Sequence, residues 1–222
     1  MQKNAKKIFK MINIKDQEDL FELISNYLEA DIICVAIGGT AMMFEGYKTA
    51  TKDIDLVFKD NKDRDIFIKA IEKLGYSKSS LKLVYKEKNL KSRDKPLMYS
   101  RGEERFDLFV KNVFGIEVNF EGFLKRHDYI GKKELVILTL SKEDLILFKS
   151  VTNREKDYED IENIVKLEPN IDWDKIVDST IKQKMNNSWI LIDLEEKMQK
   201  LKKITIIKNN VFDKIYKIQE DK

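Results

Sequence analysis

Asp53 and Asp55 stand two residues apart in Asp53-Ile54-Asp55-Leu56-Val57-Phe58, a stretch that reads as a strand. Residues i and i+2 of a strand project from one face, so the two carboxylates lie side by side while Ile54 and Leu56 turn into the core. Adjacent carboxylates repel and raise one another's pKa unless a cation sits between them. Such an all-oxygen pair suits Mg²⁺ or Mn²⁺, hard ions that take few carboxylates and finish their shell with water and phosphate. Asp-x-Asp recurs at Asp63/Asp65 and Asp172/Asp174. Those pairs fall in a helical period or near a helix start, where acids are solvated or matched to the helix dipole.

A glycine pair precedes the acids. Gly38-Gly39-Thr40 ends an apolar run and opens a short helix. Glycine lets the backbone approach a phosphate, free N–H groups at a helix start favour an anion, and Thr40 adds a hydroxyl. The Lys-Ser/Thr ending of a P-loop is missing, as is the third glycine of a dinucleotide fingerprint; the plainer alternative is a tight strand-to-helix turn. A two-metal site takes a third carboxylate from another strand. Asp107 in Arg105-Phe106-Asp107-Leu108-Phe109-Val110 fits, because an isolated acid in an apolar strand is costly unless paired or metal-bound. Glu117 in Ile116-Glu117-Val118 is the competitor, and it could simply face water from an edge strand.

Bulk properties remove other chemistries. The chain has 222 residues, a net charge of +3, one cysteine and one histidine. Cys34, inside Ile32-Ile33-Cys34-Val35, reads as a small core residue, and a single cysteine forms no disulfide within one chain. His127 has no nucleophile beside it and no thiolate partners, so neither a hydrolase triad nor a zinc cluster is supported; a surface or loop histidine is expected. The basic start lacks the apolar core of a signal peptide, and no apolar run approaches a membrane span, so a cytoplasmic protein without membrane contact is expected. Interleaved charges give no long-range field that demands nucleic acid. Lys197, Lys200, Lys202, Lys203 and Lys208 form a local basic cluster, either an RNA-binding surface or solvated helix.

Periodicity supplies the elements that must position these residues. Helices are expected at Asp16 to Ala30 (stripe Leu20, Phe21, Ile24, Tyr27, Leu28), Thr40 to Phe44, and Asp60 to Leu74 with Gly75 as its stop. Strands are expected at Asp31 to Ile37, Asp53 to Phe58, Leu81 to Tyr85, Leu97 to Ser100, Arg105 to Val110, Gly115 to Phe120 and Leu135 to Leu140. Ser141 then reads as an N-cap with Asp144 three residues on. Helical periods follow at Glu143 to Val151, Lys156 to Lys166, Trp173 to Met185, Trp189 to Lys202 and Val211 to Ile218. The fold class is α+β: an α/β domain over 1–140 with a mixed sheet flanked by helices, then a helical domain over 141–222.

Gly38-Gly39-Thr40, the spacer Gly46-Tyr47-Lys48-Thr49-Ala50-Thr51-Lys52 and Asp53-Ile54-Asp55-Leu56 together resemble the DNA polymerase β-like nucleotidyltransferases. The nearest likeness is to the AbiEii-type toxin group and its uncharacterised bacterial and archaeal relatives. Leu140 to Lys149, followed by Arg154-Glu155-Lys156-Asp157-Tyr158-Glu159-Asp160-Ile161, resembles that group's helical motifs. The two blocks span residues 31 to 165. The resemblance implies that Gly38, Gly39 and Thr40 hold the triphosphate and that Asp53, Asp55 and Asp107 hold Mg²⁺ or Mn²⁺. Asp107 would also help to deprotonate the acceptor, Lys149 would reach the nucleotide phosphates, and Asp157 would orient the site. Lys48, Lys52 and Arg154 would line the substrate. Lys48 stands where arginine is frequent, which would weaken a bidentate phosphate contact.

An NTP substrate, an RNA acceptor such as a tRNA end, and an antitoxin are the partners so implied. Against this, Lys149 could snorkel from a core-facing helix, and Arg154, Asp157 and Asp160 could be helix-surface pairs. The chain could also be an inactive nucleotidyltransferase-fold module that binds a protein or nucleotide.

Overall fold

Asn13 starts the first helix by a capping box: its side chain accepts the Asp16 N–H at 3.0 Å, and Asp16 accepts the Asn13 N–H in return. The helix, α1 (Ile14–Ser25), follows the two-residue strand β1 (Ile12–Asn13) and buries Phe21 and Ile24. It stops five residues before the expected end because Ser25 and Asn26 both turn their side chains onto the Glu22 carbonyl. Tyr27, placed on the buried stripe by its spacing, is consequently 38% exposed. These coordinates come from a computed structural model, which describes residues 11–81, 93–121, 125–150, 154–183 and 189–220. The strand expected from Leu81 to Tyr85 lies outside the described residues from 82 onward.

The chain continues through β2 (Ile32–Ala36), α2 (Gly38–Phe44), β3 (Ala50–Thr51), β4 (Ile54–Phe58), α3 (Asn61–Lys73) and β5 (Ser77–Lys78). Next come β6 (Leu97–Arg101), β7 (Glu104–Val110), β8 (Asn112–Val113), β9 (Ile116–Glu117), β10 (Lys125–Ile130) and β11 (Glu134–Thr139). Helices α4 (Lys142–Ser150), α5 (Glu155–Leu167), α6 (Trp173–Gln183), α7 (Ile190–Leu201) and α8 (Asn209–Glu220) complete it. The main sheet runs β10-β11-β2-β4-β7-β6-β5, with β8 and β9 attached to the end of β7. It is mixed: β2 is parallel to β11 and antiparallel to β4, while β4 is parallel to β7. This is the expected architecture of a mixed sheet flanked by helices and followed by a helical module.

Apolar content explains the centre. Leu56, Val57 and Phe58 of β4 and Cys34, Val35 and Ala36 of β2 are fully buried, as strands covered on both faces require. Asp60 caps α3 through the Asp63 N–H, and Gly75 (φ +88°) takes the left-handed turn after it. Asp172 accepts the Lys175 N–H at the start of α6, and Asp174 pairs with Lys214, so the other Asp-x-Asp pairs are caps and surface acids. Ser141 does cap α4, accepting the Asp144 N–H at 3.2 Å.

Three further local expectations differ. No strand is expected over residues 125–130, yet β10 hydrogen-bonds along its whole length to β11, from Lys125↔Thr139 to Ile130↔Glu134. His127 therefore sits on an edge strand, half-buried and stacked on Phe44 at 4.2 Å. The strand expected from Gly115 to Phe120 shrinks to Ile116–Glu117. Lys197 leaves the basic cluster: it is 6% exposed and donates to the Ser150 carbonyl at 2.7 Å. Among the described residues no helix is long and apolar enough to cross a membrane.

Candidate active site

Parallel pairing of β4 with β7 sets Asp55 directly opposite Asp107, and Asp53 lies on the residue that leads into β4. One carboxylate oxygen from each of the three lies within 4.8 Å of the others. Asp107 is fully buried. The competing acid, Glu117, is exposed on β9 and stands outside the cluster. Burial and the neighbouring Asp107 charge push the Asp55 carboxyl up to about 7, against a smaller downward pull from Lys149 and Arg154.

The glycine turn is built onto these acids. Gly38 has φ +58°, and a Cβ there would come within 2.5 Å of Asp55 Oδ2. A Cβ on Gly39 would lie 2.4 Å from Thr51 Oγ1. Both positions exclude a side chain by close approach, and Gly38 also by its left-handed backbone. Two hydrogen bonds fasten the turn to β4: Ile37 N–H donates to the Asp55 carbonyl at 3.1 Å, and Asp55 N–H donates to Thr40 Oγ1 at 2.9 Å. Thr40 is fully buried, so its hydroxyl orients Asp55. Thr51 Oγ1 lies 3.3 Å from Asp53 Oδ1. Lys52, between Thr51 and Asp53, is exposed.

A second charged cluster is contributed by the helical half. Lys149 Nζ, near the end of α4, donates to Asp160 Oδ2 at 2.6 Å and to Asp157 Oδ1 at 3.2 Å. Lys48, from the segment before β3, reaches the other Asp160 oxygen at 2.8 Å. Arg154 grips Asp157 through two nitrogens, Nε at 2.6 Å and Nη2 at 3.1 Å. Asp157 and Asp160 are buried, which removes the helix-surface reading for them, and Lys149 is buried between them rather than snorkelling to water. Burial alone would raise the Asp160 pKa, but the charges and hydrogen bonds of Lys149 and Lys48 hold it below the usual carboxylate range. Burial lowers the Lys48 pKa, with Asp160 opposing.

Arg105 is the residue that sequence reasoning missed. Its Nη2 pairs with Asp53 Oδ2 and stands 3.2 Å from Asp107 Oδ2, bridging two of the three acids. Its position two residues before Asp107 on one strand was the available signal, since i and i+2 share a face. Cys34 is buried, and burial pushes its thiol far above the reactive range.

Three convergent carboxylates make the all-oxygen donor set that Mg²⁺ or Mn²⁺ favours. The arrangement can therefore hold a hard cation. The chain matched no curated protein. The model of one family does match, over residues 10–214, which include every acid, glycine and lysine described above. The chain belongs to that family, described as nucleotidyltransferase of unknown function (DUF6036).

Proposed function

We propose that the protein transfers a nucleotide from an NTP to an acceptor hydroxyl, using Mg²⁺ or Mn²⁺ held by Asp53, Asp55 and Asp107. The observation that carries this reading is the convergence of the three carboxylates beside the Gly38-Gly39 turn, in a chain of a nucleotidyltransferase family. When bound, the metal would neutralise phosphate charge and stabilise the entering and leaving oxygens.

In this reading the acceptor oxygen attacks the α-phosphorus and the bond to the β-phosphate oxygen breaks. Pyrophosphate leaves, and the acceptor proton passes to a carboxylate of the cluster, Asp107 being the assigned base. Gly38 and Gly39 let the triphosphate approach the backbone, while Thr40 keeps Asp55 in register. Lys52, exposed beside Asp53, would meet phosphate oxygens in this reading. Lys149 and Arg154 supply positive potential to Asp55, Asp157 and Asp160 fix where that charge sits, and Lys48 would line the substrate from its pair with Asp160. Direct phosphate contact by Lys149 would require it to leave those acids.

The acceptor we infer is RNA, such as a tRNA end, and the AbiEii-like sequence blocks suggest a cytoplasmic toxin held in check by an antitoxin. The test is incubation with labelled NTPs, Mg²⁺ and total RNA. Wild type should transfer label, and Asp53→Asn combined with Asp55→Asn should abolish transfer. Failure of the wild type, or undiminished transfer by the double variant, sinks the enzyme reading. The rival is a nucleotidyltransferase-fold module that only binds a protein or nucleotide partner, and Arg105 filling the acid cluster is the observation in its favour. Calorimetry that finds partner binding without Mg²⁺-dependent NTP binding would select it.

A further inference from the structure

Arg105 occupies the acid cluster in a way the proposed chemistry does not use. Its Nη2 touches Asp53 Oδ2, from the approach to β4, and Asp107 Oδ2, from β7. The first acid is a quarter exposed and the second almost wholly buried, so the guanidinium spans the cluster from rim to floor. Both acids are among the three whose oxygens converge within 4.8 Å. Lys149 and Arg154, the cations that act on Asp55 from the helical half, are engaged by Asp157 and Asp160.

We propose that Arg105 is a built-in counter-ion that competes with a divalent metal for Asp53 and Asp107 and swings out of the cluster when metal binds. The inference rests on the metal-site reading above. Three carboxylates this close destabilise one another without a cation, and the chain carries one that fits: a planar fork able to bridge two acids. A divalent ion between the same oxygens would lie within a few ångströms of the guanidinium, where like charges in a partly buried site repel strongly. The two occupants are therefore alternatives. Only the side chain has to move, because the Arg105 backbone is locked into β7 by pairing with Ser100 of β6.

The competition makes metal binding conditional. In the absence of substrate, metal must displace a charge-assisted pair, so affinity is weak. A triphosphate offers the released guanidinium new oxygens, so metal and NTP should strengthen one another's binding.

The experiment is Mn²⁺ titration of the metal-free full chain, followed by electron paramagnetic resonance and calorimetry without NTP. Arg105→Gln should bind Mn²⁺ about tenfold or more tightly than wild type, with Arg105→Lys between them. Equal or weaker binding by a folded Arg105→Gln overturns the proposal and leaves Arg105 as a residue that merely positions the acids. Should Arg105→Gln fail to fold, the wild type still answers. In ¹⁵N-arginine spectra, with the Arg105 Nε–H signal assigned through Arg105→Lys, saturating Mg²⁺ should shift that signal to the position of a solvent-exposed arginine. A signal unmoved at saturation overturns the idea. If wild type binds Mn²⁺, Asp53→Asn with Asp55→Asn does not, and Arg105→Gln matches wild type, competition alone has failed. If neither wild type nor Arg105→Gln binds Mn²⁺, the metal-site reading falls and the competition with it.

Discussion

Gly38 joins a left-handed backbone to a close contact with Asp55, so a single methyl group tests the geometry of the site. Alanine there would be strained by about 1–2 kcal/mol and would push the Asp55 carboxylate aside. Displacing a reacting-site group by about 1 Å can cost about 100-fold in rate, so Gly38→Ala should lose label transfer on that scale while still melting cooperatively. Gly46→Ala is the control, because Gly46 also has positive φ but nothing within 4 Å of a Cβ. Equal losses in the two variants would mean that backbone strain, not the approach to Asp55, is responsible. Asp55 also sets a pH dependence. Its folded pKa is raised from 3.8 to about 7, so the folded chain holds a proton that the unfolded chain releases. Stability from this group is therefore lost as pH rises from about 4 through 7. In EDTA the difference in melting temperature between Asp55→Asn and wild type should grow in favour of the variant from pH 5 to pH 8. A flat difference would mean that Asp55 is already ionised in the folded chain. Both acids of the pair and the isolated Asp107 were legible in the sequence, because strand alternation and an acid among apolar neighbours are local signals. Arg105 left a single local trace, its place two residues before Asp107 on one strand, while its other partner, Asp53, comes from a distant segment that the local pattern does not reveal.

At the scale of elements, α4 and α5 deliver the charges that face the sheet. Asp160 holds Lys149 and Lys48 at once, with both partners mostly buried. Removing one member of such a cluster leaves uncompensated buried charge, at a cost of about 3 kcal/mol or more. Asp160→Asn should therefore lower stability by that order in urea unfolding. Arg154→Ala should cost about 1 kcal/mol or less, because the Arg154 side chain is 61% exposed. Equal, small effects would mean that the buried pairs contribute little to the fold. Sequence periodicity found α2 to α8 and the central strands because each buries a continuous apolar face. It missed β10, whose alternation of Lys125, His127 and Tyr129 with Arg126, Asp128 and Ile130 offers no apolar face. That strand exists because β11 presents a full ladder to it, a tertiary cause with no local trace. The early end of α1 was within reach, since Ser25-Asn26 is a pair whose side chains compete for backbone carbonyls.

For the whole molecule, the division at 140/141 predicts two domains, while packing joins them. One continuous buried cluster includes Leu56, Phe58 and Ile137 of the sheet together with Leu145, Ile161, Leu194 and Phe212 of the helices. Helix α4 packs on α2, the helix that carries the glycine turn, and also on α5, α6 and α7. Polar ties reinforce the arrangement: Lys48 to Asp160 and Tyr47 to Glu168 cross the two halves, and Lys197 of α7 holds the last carbonyl of α4 within the helical half. A shared core couples the two halves, so we expect one cooperative unit. Both tryptophans, Trp173 and Trp189, lie in the helical half, and only Trp173 is buried. Its fluorescence follows that half alone, whereas far-UV circular dichroism follows the whole chain. The two melting curves should coincide, and the calorimetric enthalpy should equal the van't Hoff value. A fluorescence transition clearly ahead of the dichroism, with a stable sheet left behind, would instead make the helical module a separate domain. The charges on Lys149 and Arg154 would then reach the acids only when that domain is docked, and transfer activity would be lost with the first transition rather than the second.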